Sequence, residues 1–115
     1  MAVREKIVQG IAIIDVRGNL MGGKETDECH EKIKSLLEDG QKKVVINLSN
    51  VKWMNSKGLG MLMASYTSCQ NAEAKLKIAG ATDKVNSLFI MTKLMTIFDT
   101  YENSDRAIGS FLGSV

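Results

Sequence analysis

The sequence predicts an α/β domain, with a mixed β-sheet of four to five strands, an antiparallel strand at its N-terminal edge and about four helices. The chain has 115 residues, which suits a single domain with one core. Short β-branched runs alternate with helical patterns of about 10 to 15 residues, an order typical of strands that pair in parallel. The first two runs are separated only by Gln9 and Gly10, so they are expected to form an antiparallel hairpin.

Each predicted strand is a short apolar run that ends at a turn signal. Residues 11–16 and 43–48 are nearly continuous apolar runs, as expected for strands buried on both faces. Residues 18–23 and 49–55 are expected to be loops. The predicted strands cover residues 3–8, 11–16, 43–48, 75–79 and 96–100.

The helices are predicted from apolar residues that recur with a helical period. The first covers about residues 24–38, and Gly40 follows it as a C-terminal cap. The second starts at Ser56 and continues to about residue 71. A short third helix is capped by Thr82 or Asp83, and a terminal helix is capped by Ser104.

Composition and charge exclude several classes of function. The net charge is +2 and the charged residues are interspersed, so we expect no nucleic-acid binding. The apolar runs are too short for a membrane span and the N-terminus does not resemble a signal peptide. We therefore expect a cytoplasmic protein without membrane contact. Cys29, Cys69 and the single histidine His30 are isolated, which predicts reduced thiols, no disulfide and no metal or other cofactor.

The known catalytic motifs are incomplete in this chain. The segment GLGMLM at residues 58–63 begins like a dinucleotide fingerprint, but Met63 replaces its third glycine. A nucleophile elbow around Ser56 fails because Met54 stands where the first glycine belongs. We therefore do not expect an enzyme.

Ser56 is the main candidate for a functional residue in this sequence. A serine at a helix start serves most simply as the N-cap, whose hydroxyl accepts a hydrogen bond from a backbone N–H. A helix N-terminus also stabilises an anion, so a phosphate on Ser56 is the alternative interpretation. Gly58 and Gly60 weaken the helix, which indicates close packing against the sheet or access for a partner.

Two segments resemble the signature of the STAS domain family. They read VVINLSNV at residues 44–51 and MNSKGLG at residues 54–60, similar to the family's strand, turn and (M)-D-S-(S/A)-G-L-G helix start. VRGNL at 16–20, LKIAG at 76–80 and LMTIF at 94–98 add to the resemblance. It extends over nearly the whole chain and implies a single STAS domain over residues 1–115.

The resemblance implies an anti-sigma factor antagonist of a bacterial partner-switching system. Such a domain binds an ATP-dependent serine kinase that is also the anti-sigma factor, and so releases the sigma factor. The kinase phosphorylates the serine that matches Ser56, and a PP2C-type phosphatase removes the phosphate. Nucleotide and magnesium then belong to the kinase, so no cofactor is expected here, and the domain itself is expected to be a monomer or a weak dimer.

Three residues depart from the family pattern: Asn55 replaces the usual acid, Lys57 a small residue, and Met21 an aspartate of the preceding loop. The expected partner-binding residues are Met21, Trp53, Met54, Asn55, Ser56, Lys57, Gly58, Leu59 and Gly60.

Two alternative functions stay open. One is a STAS scaffold or stressosome-like assembly subunit that is never phosphorylated. The other is a module that binds a small ligand or lipid, which requires a sizeable apolar pocket.

Overall fold

The computed structural model describes residues 3–113 and shows one five-stranded sheet with four α-helices. The strands are β1 (Val3–Val8), β2 (Ile11–Leu20), β3 (Lys43–Met54), β4 (Lys75–Ala79) and β5 (Asp99–Tyr101). The helices are α1 (Lys24–Glu38), α2 (Ser56–Asn71), α3 (Asp83–Met91) and α4 (Ser104–Phe111), with a 3-10 turn at Leu94–Thr96.

The sheet is mixed, and its strands lie in chain order from β1 to β5. β1 pairs antiparallel with β2, and every later pair is parallel. The hairpin turns at Gln9 and Gly10, whose φ angles are 51° and 80°. Positive φ at both turn residues matches the right-handed twist of the strands. The predicted α/β class, hairpin and parallel crossovers are confirmed.

Apolar side chains fill both faces of the sheet. One face packs against α1, α2 and α3 in a large core that includes Ile14, Ile46 and Phe89. The other face is smaller and is covered by α4, where Ala107 lies near Ile13 and Val45. Successive strand residues point to opposite faces, so an uninterrupted apolar run is needed in β2 and β3.

β2 and β3 are both longer than predicted, which corrects the loops expected at 18–23 and 49–55. β2 continues to Leu20 and β3 to Met54, and these ends pair with each other in an irregular register. The extensions contain polar residues such as Arg17 and Asn50, which are partners in this register. Because the pairing supplies their hydrogen bonds, these segments are strands without an apolar pattern.

Three smaller predictions are corrected. β5 begins at Asp99, because Thr96 belongs to the 3-10 turn. α4 begins at Ser104, but its N-cap is Asn103, whose side chain accepts a hydrogen bond from the Arg106 N–H at 2.9 Å. Thr82 is the N-cap residue of α3, yet its hydroxyl donates to the carbonyl of Val51 at 3.3 Å rather than capping the helix.

Candidate functional site

The candidate site lies where β3 ends and α2 begins, with Asn55 as the single residue between them. Asn55 is the N-cap of α2: its Oδ1 accepts hydrogen bonds from the N–H groups of Lys57, at 3.0 Å, and Gly58, at 3.1 Å. The prediction that Ser56 is the N-cap is therefore wrong. Ser56 is the first residue of the helix, and it is exposed. Asparagine caps a helix as well as serine does, and here it stands one residue earlier.

Asn55 also fixes the start of α2 to the end of β2. Its Nδ2 donates to the carbonyl of Met21 at 3.1 Å, and its backbone N–H donates to the carbonyl of Leu20 at 3.3 Å. The side chain thus uses its acceptor for the helix and its donor for the neighbouring segment. An aspartate at this position would keep the acceptor and lose the donor.

Close packing explains one of the two glycines in the first turns of α2. A Cβ on Gly58 would overlap the carbonyl oxygen of Leu20, so the helix lies directly against the end of β2. No neighbouring atom lies within 4 Å of a Cβ placed on Gly60. Beside them, the stem of Lys57 lies on Gly22, which has a φ of 92° and no room for a side chain.

The predicted partner-binding residues differ in exposure. Met54 and Asn55 are half-buried, whereas Gly58 and Leu59 are buried in the chain itself. The other five predicted residues are exposed, and we call them the docking face after that prediction: Met21, Trp53, Ser56, Lys57 and Gly60. Met21 is 47% exposed and Trp53 is 51% exposed, so two large apolar side chains project into solvent near the start of α2.

Trp53 lies beside α3. Its backbone N–H donates to Oδ1 of Asn19 at 3.2 Å, and Nζ of Lys84 lies 3.5 Å from the centroid of its indole ring. This distance is typical of a cation–π contact. The Trp53 ring borders a cavity of about 260 Å³, whose other lining residues are Lys52, Thr82, Asp83 and Lys84. The sequence did not predict that Asn19 and Lys84 contact Trp53. Asn19 lies in a part of β2 that was expected to be a loop, and a single lysine in a helix does not indicate which side chain it contacts.

The electrostatic setting of Ser56 is positive. The first turn of α2 contains no acidic residue and one cation, Lys57. The positive end of the helix dipole adds to this. A phosphate on Ser56 would therefore meet a favourable field, although two N–H groups of the first turn are already bonded to Asn55.

A groove of about 740 Å³ along α1 is lined mainly by charged and polar side chains: Lys24, Asp27, Glu28, Glu31, Lys32 and Ser35, with Gly23. Although these residues are charged or polar, most of the exposed wall area is apolar, because their carbon stems line the groove. Within residues 3–113, no helix is both long enough and apolar enough to span a bilayer.

The STAS domain family profile matches residues 2–107, so the chain belongs to the STAS domain family, as its sequence predicted. An anti-sigma-B factor antagonist of Staphylococcus aureus is 28% identical over 78 residues, which are 68% of this chain and 72% of that protein.

Two solved structures show the same fold. An anti-sigma factor antagonist from Mycobacterium paratuberculosis superposes with a TM-score of 0.81 at 21% identity, over 94% of this chain and 91% of that one. The Bacillus cell fate determinant SpoIIAA, in its phosphorylated form, superposes with a TM-score of 0.74 at 14% identity, over 96% of this chain and 99% of that one.

Proposed function

We propose that this chain is an anti-sigma factor antagonist. It binds an anti-sigma factor serine kinase through the docking face and is released when the kinase phosphorylates Ser56. A PP2C-type phosphatase then restores the binding form. The proposal is supported by the name of the Staphylococcus aureus relative and by the phosphorylated form of SpoIIAA among its structural neighbours.

The observation that most strongly supports Ser56 as the phosphorylation site is that Asn55, and not Ser56, caps α2. Because Asn55 caps α2, the Ser56 hydroxyl makes no contribution to the helix cap. It is exposed at the helix start, beside Lys57. A hydroxyl that the fold does not use is open to a kinase, and its modification leaves the capping bonds intact.

The same geometry accounts for release. A phosphate adds about −1.5 to −2 charges at one point, on a chain whose net charge is +2. The added charge would lie on the first residue of α2, three residues after the exposed Trp53. A partner that buries the docking face must then desolvate a dianion, which is costly. Binding is lost while the domain stays folded.

Affinity capture from the native host tests the partner. The immobilised wild type is compared with Ser56→Glu, which mimics the added charge, and with Ser35→Glu, which places the same charge at an exposed serine of α1. We expect the wild type and Ser35→Glu to retain an ATP-dependent anti-sigma factor serine kinase, and Ser56→Glu to lose it. Equal capture by all three proteins, or capture of other STAS domains in place of a kinase, would contradict the proposal and favour the scaffold.

A further inference from the structure

We infer that the chain has a second binding site, for a compact multivalent oxyanion such as phosphate or pyrophosphate. It lies at the opposite end of β3 from Ser56, and it does not depend on the proposed function. The site is formed by Lys43, Lys75 and Lys77 beneath the last turn of α4. We call these three residues the lysine cluster.

The lysine cluster results from the register of two parallel strands. Lys43 is the first residue of β3 and Lys75 the first of β4, and the two are direct partners in the sheet. Lys77 follows two residues later and therefore points to the same face as Lys75. Like charges at directly opposed positions destabilise a sheet. An anion bound between them would remove this repulsion.

Lys77 is held in place although it is a lysine in the core. Only 8% of the residue is exposed. Its Nζ donates to Oγ of Ser110 at 2.6 Å and to the hydroxyl of Tyr101 at 3.3 Å, and lies 4.3 Å from the ring centroid of Phe111. The ammonium group is thus ordered before any ligand arrives, which lowers the entropic cost of binding.

A cavity of about 340 Å³ opens over these side chains, lined by Lys42, Lys43, Lys75, Lys77, Ser110 and Phe111. The carboxylate paired with this group is Asp99, whose Oδ2 lies 3.7 Å from Nζ of Lys77. The ammonium group of Lys42 donates to the carbonyl of Ala72 at the end of α2 and is not counted here. The three ammonium groups of the lysine cluster less one carboxylate leave a charge of +2. Among the salt bridges of residues 3–113, none involves Lys43 or Lys75. The carbonyl end of α4 offsets only part of this charge, because a helix end amounts to about half an elementary charge.

The shape of the site indicates a small anion. Nucleic-acid binding uses a basic stripe that follows the phosphate backbone, whereas these lysines converge on one cavity. Lysine ammonium groups bind phosphate oxygens as point charges. The lysine cluster therefore matches a ligand with two or more negative charges within a few ångströms.

The test is a titration of the ¹⁵N-labelled protein with sodium pyrophosphate at constant ionic strength, followed by amide chemical shifts. We expect saturable shifts at residues 42–43, 75–77 and 110–111. Lys43→Gln/Lys75→Gln should weaken binding at least about tenfold, because it removes two charged hydrogen-bond donors. The matched control Lys6→Gln/Lys24→Gln removes the same charge from two exposed lysines on β1 and α1 and should leave the affinity unchanged.

Thermal unfolding gives a second readout. Without anion, Lys43→Gln/Lys75→Gln should unfold at a higher temperature than the wild type, because the repulsion is gone. Pyrophosphate should raise the midpoint of the wild type and of the control equally, and raise that of Lys43→Gln/Lys75→Gln much less. Shifts that do not saturate at millimolar pyrophosphate would overturn the inference. So would equal weakening in the control, which would show only general attraction to a basic protein.

Discussion

At the scale of single residues, the site depends on two neighbours with separate tasks. Asn55 satisfies two N–H groups of α2 and donates to the carbonyl of Met21. Ser56 adds an exposed hydroxyl with no part in that network. The capping role and the proposed phosphorylation thus fall on different side chains, so a change at one leaves the other in place.

This separation predicts opposite outcomes for two alanine variants. Asn55→Ala should lower the free energy of unfolding by about 1 kcal/mol or more, because it removes a helix cap and the bond to Met21. Ser56→Ala should change it by less than about 0.5 kcal/mol, as is usual for exposed positions. Urea denaturation of both variants and the wild type measures the difference. A large loss in Ser56→Ala would show that its hydroxyl is structural after all.

At the scale of elements, α2 is positioned by its contact with the end of β2. The helix approaches so closely that only a hydrogen fits at Gly58, while Gly60 faces open space. The backbone of Leu20 therefore determines where the helix starts, and with it the position of Ser56.

The two glycines give a matched pair of substitutions. Gly60→Ala should stabilise the protein by about 0.5–1 kcal/mol, because alanine is the better helix former and no atom is displaced. Gly58→Ala gains the same helix propensity, but its methyl group would overlap the Leu20 carbonyl. We expect it to be destabilising and to shift the amide signals of residues 20–22. Equal stabilisation by both variants in thermal unfolding would contradict the close contact.

The elements also show what was predictable from sequence. Residues 11–14 and 44–46 are fully buried, so their apolar runs predict strands directly. The C-terminal ends of β2 and β3 are strands because they pair with each other, and the local sequence pattern does not predict such pairing. The position of Ser56 at a helix start followed from the sequence, but the sequence assigned the helix cap to Ser56, whereas the structure shows it at Asn55. Asparagine and serine are equally good caps, and only the structure shows which one bonds to the helix.

At the scale of the whole molecule, the proposed sites occupy the two ends of β3. Met54 leads into the docking face, and Lys43 begins the lysine cluster. Between them lies a core in which Cys29 of α1 and Cys69 of α2 are buried, unpaired thiols.

Burial of these thiols predicts how stability depends on pH. It raises the pKa of Cys29 from 9.0 to about 12 and that of Cys69 to about 11. Below about pH 8 both states hold their thiol protons, so this contribution does not vary with pH. Above pH 9.0 the unfolded chain loses protons that the folded chain keeps. The free energy of unfolding should therefore fall from about pH 9 towards pH 11–12.

Urea denaturation between about pH 8 and pH 10 measures this slope. Cys29→Ala/Cys69→Ala serves as the reference, because it lacks both thiols and keeps every other ionisable group. The wild type should lose stability more steeply than the double variant as the pH rises. Parallel slopes would mean that the thiols reach solvent in the folded protein.

The most direct test of the central claim is intact-mass and peptide mass spectrometry of the protein isolated from its native cells. Ser104 is the matched control: like Ser56 it is the first residue of a helix and follows an asparagine N-cap, but its hydroxyl is buried. We expect one phosphate, on Ser56, in the wild type and in Ser104→Ala, and none in Ser56→Ala. A phosphate that persists in Ser56→Ala, or none in the wild type across growth and stress conditions, would contradict the phosphorylation switch.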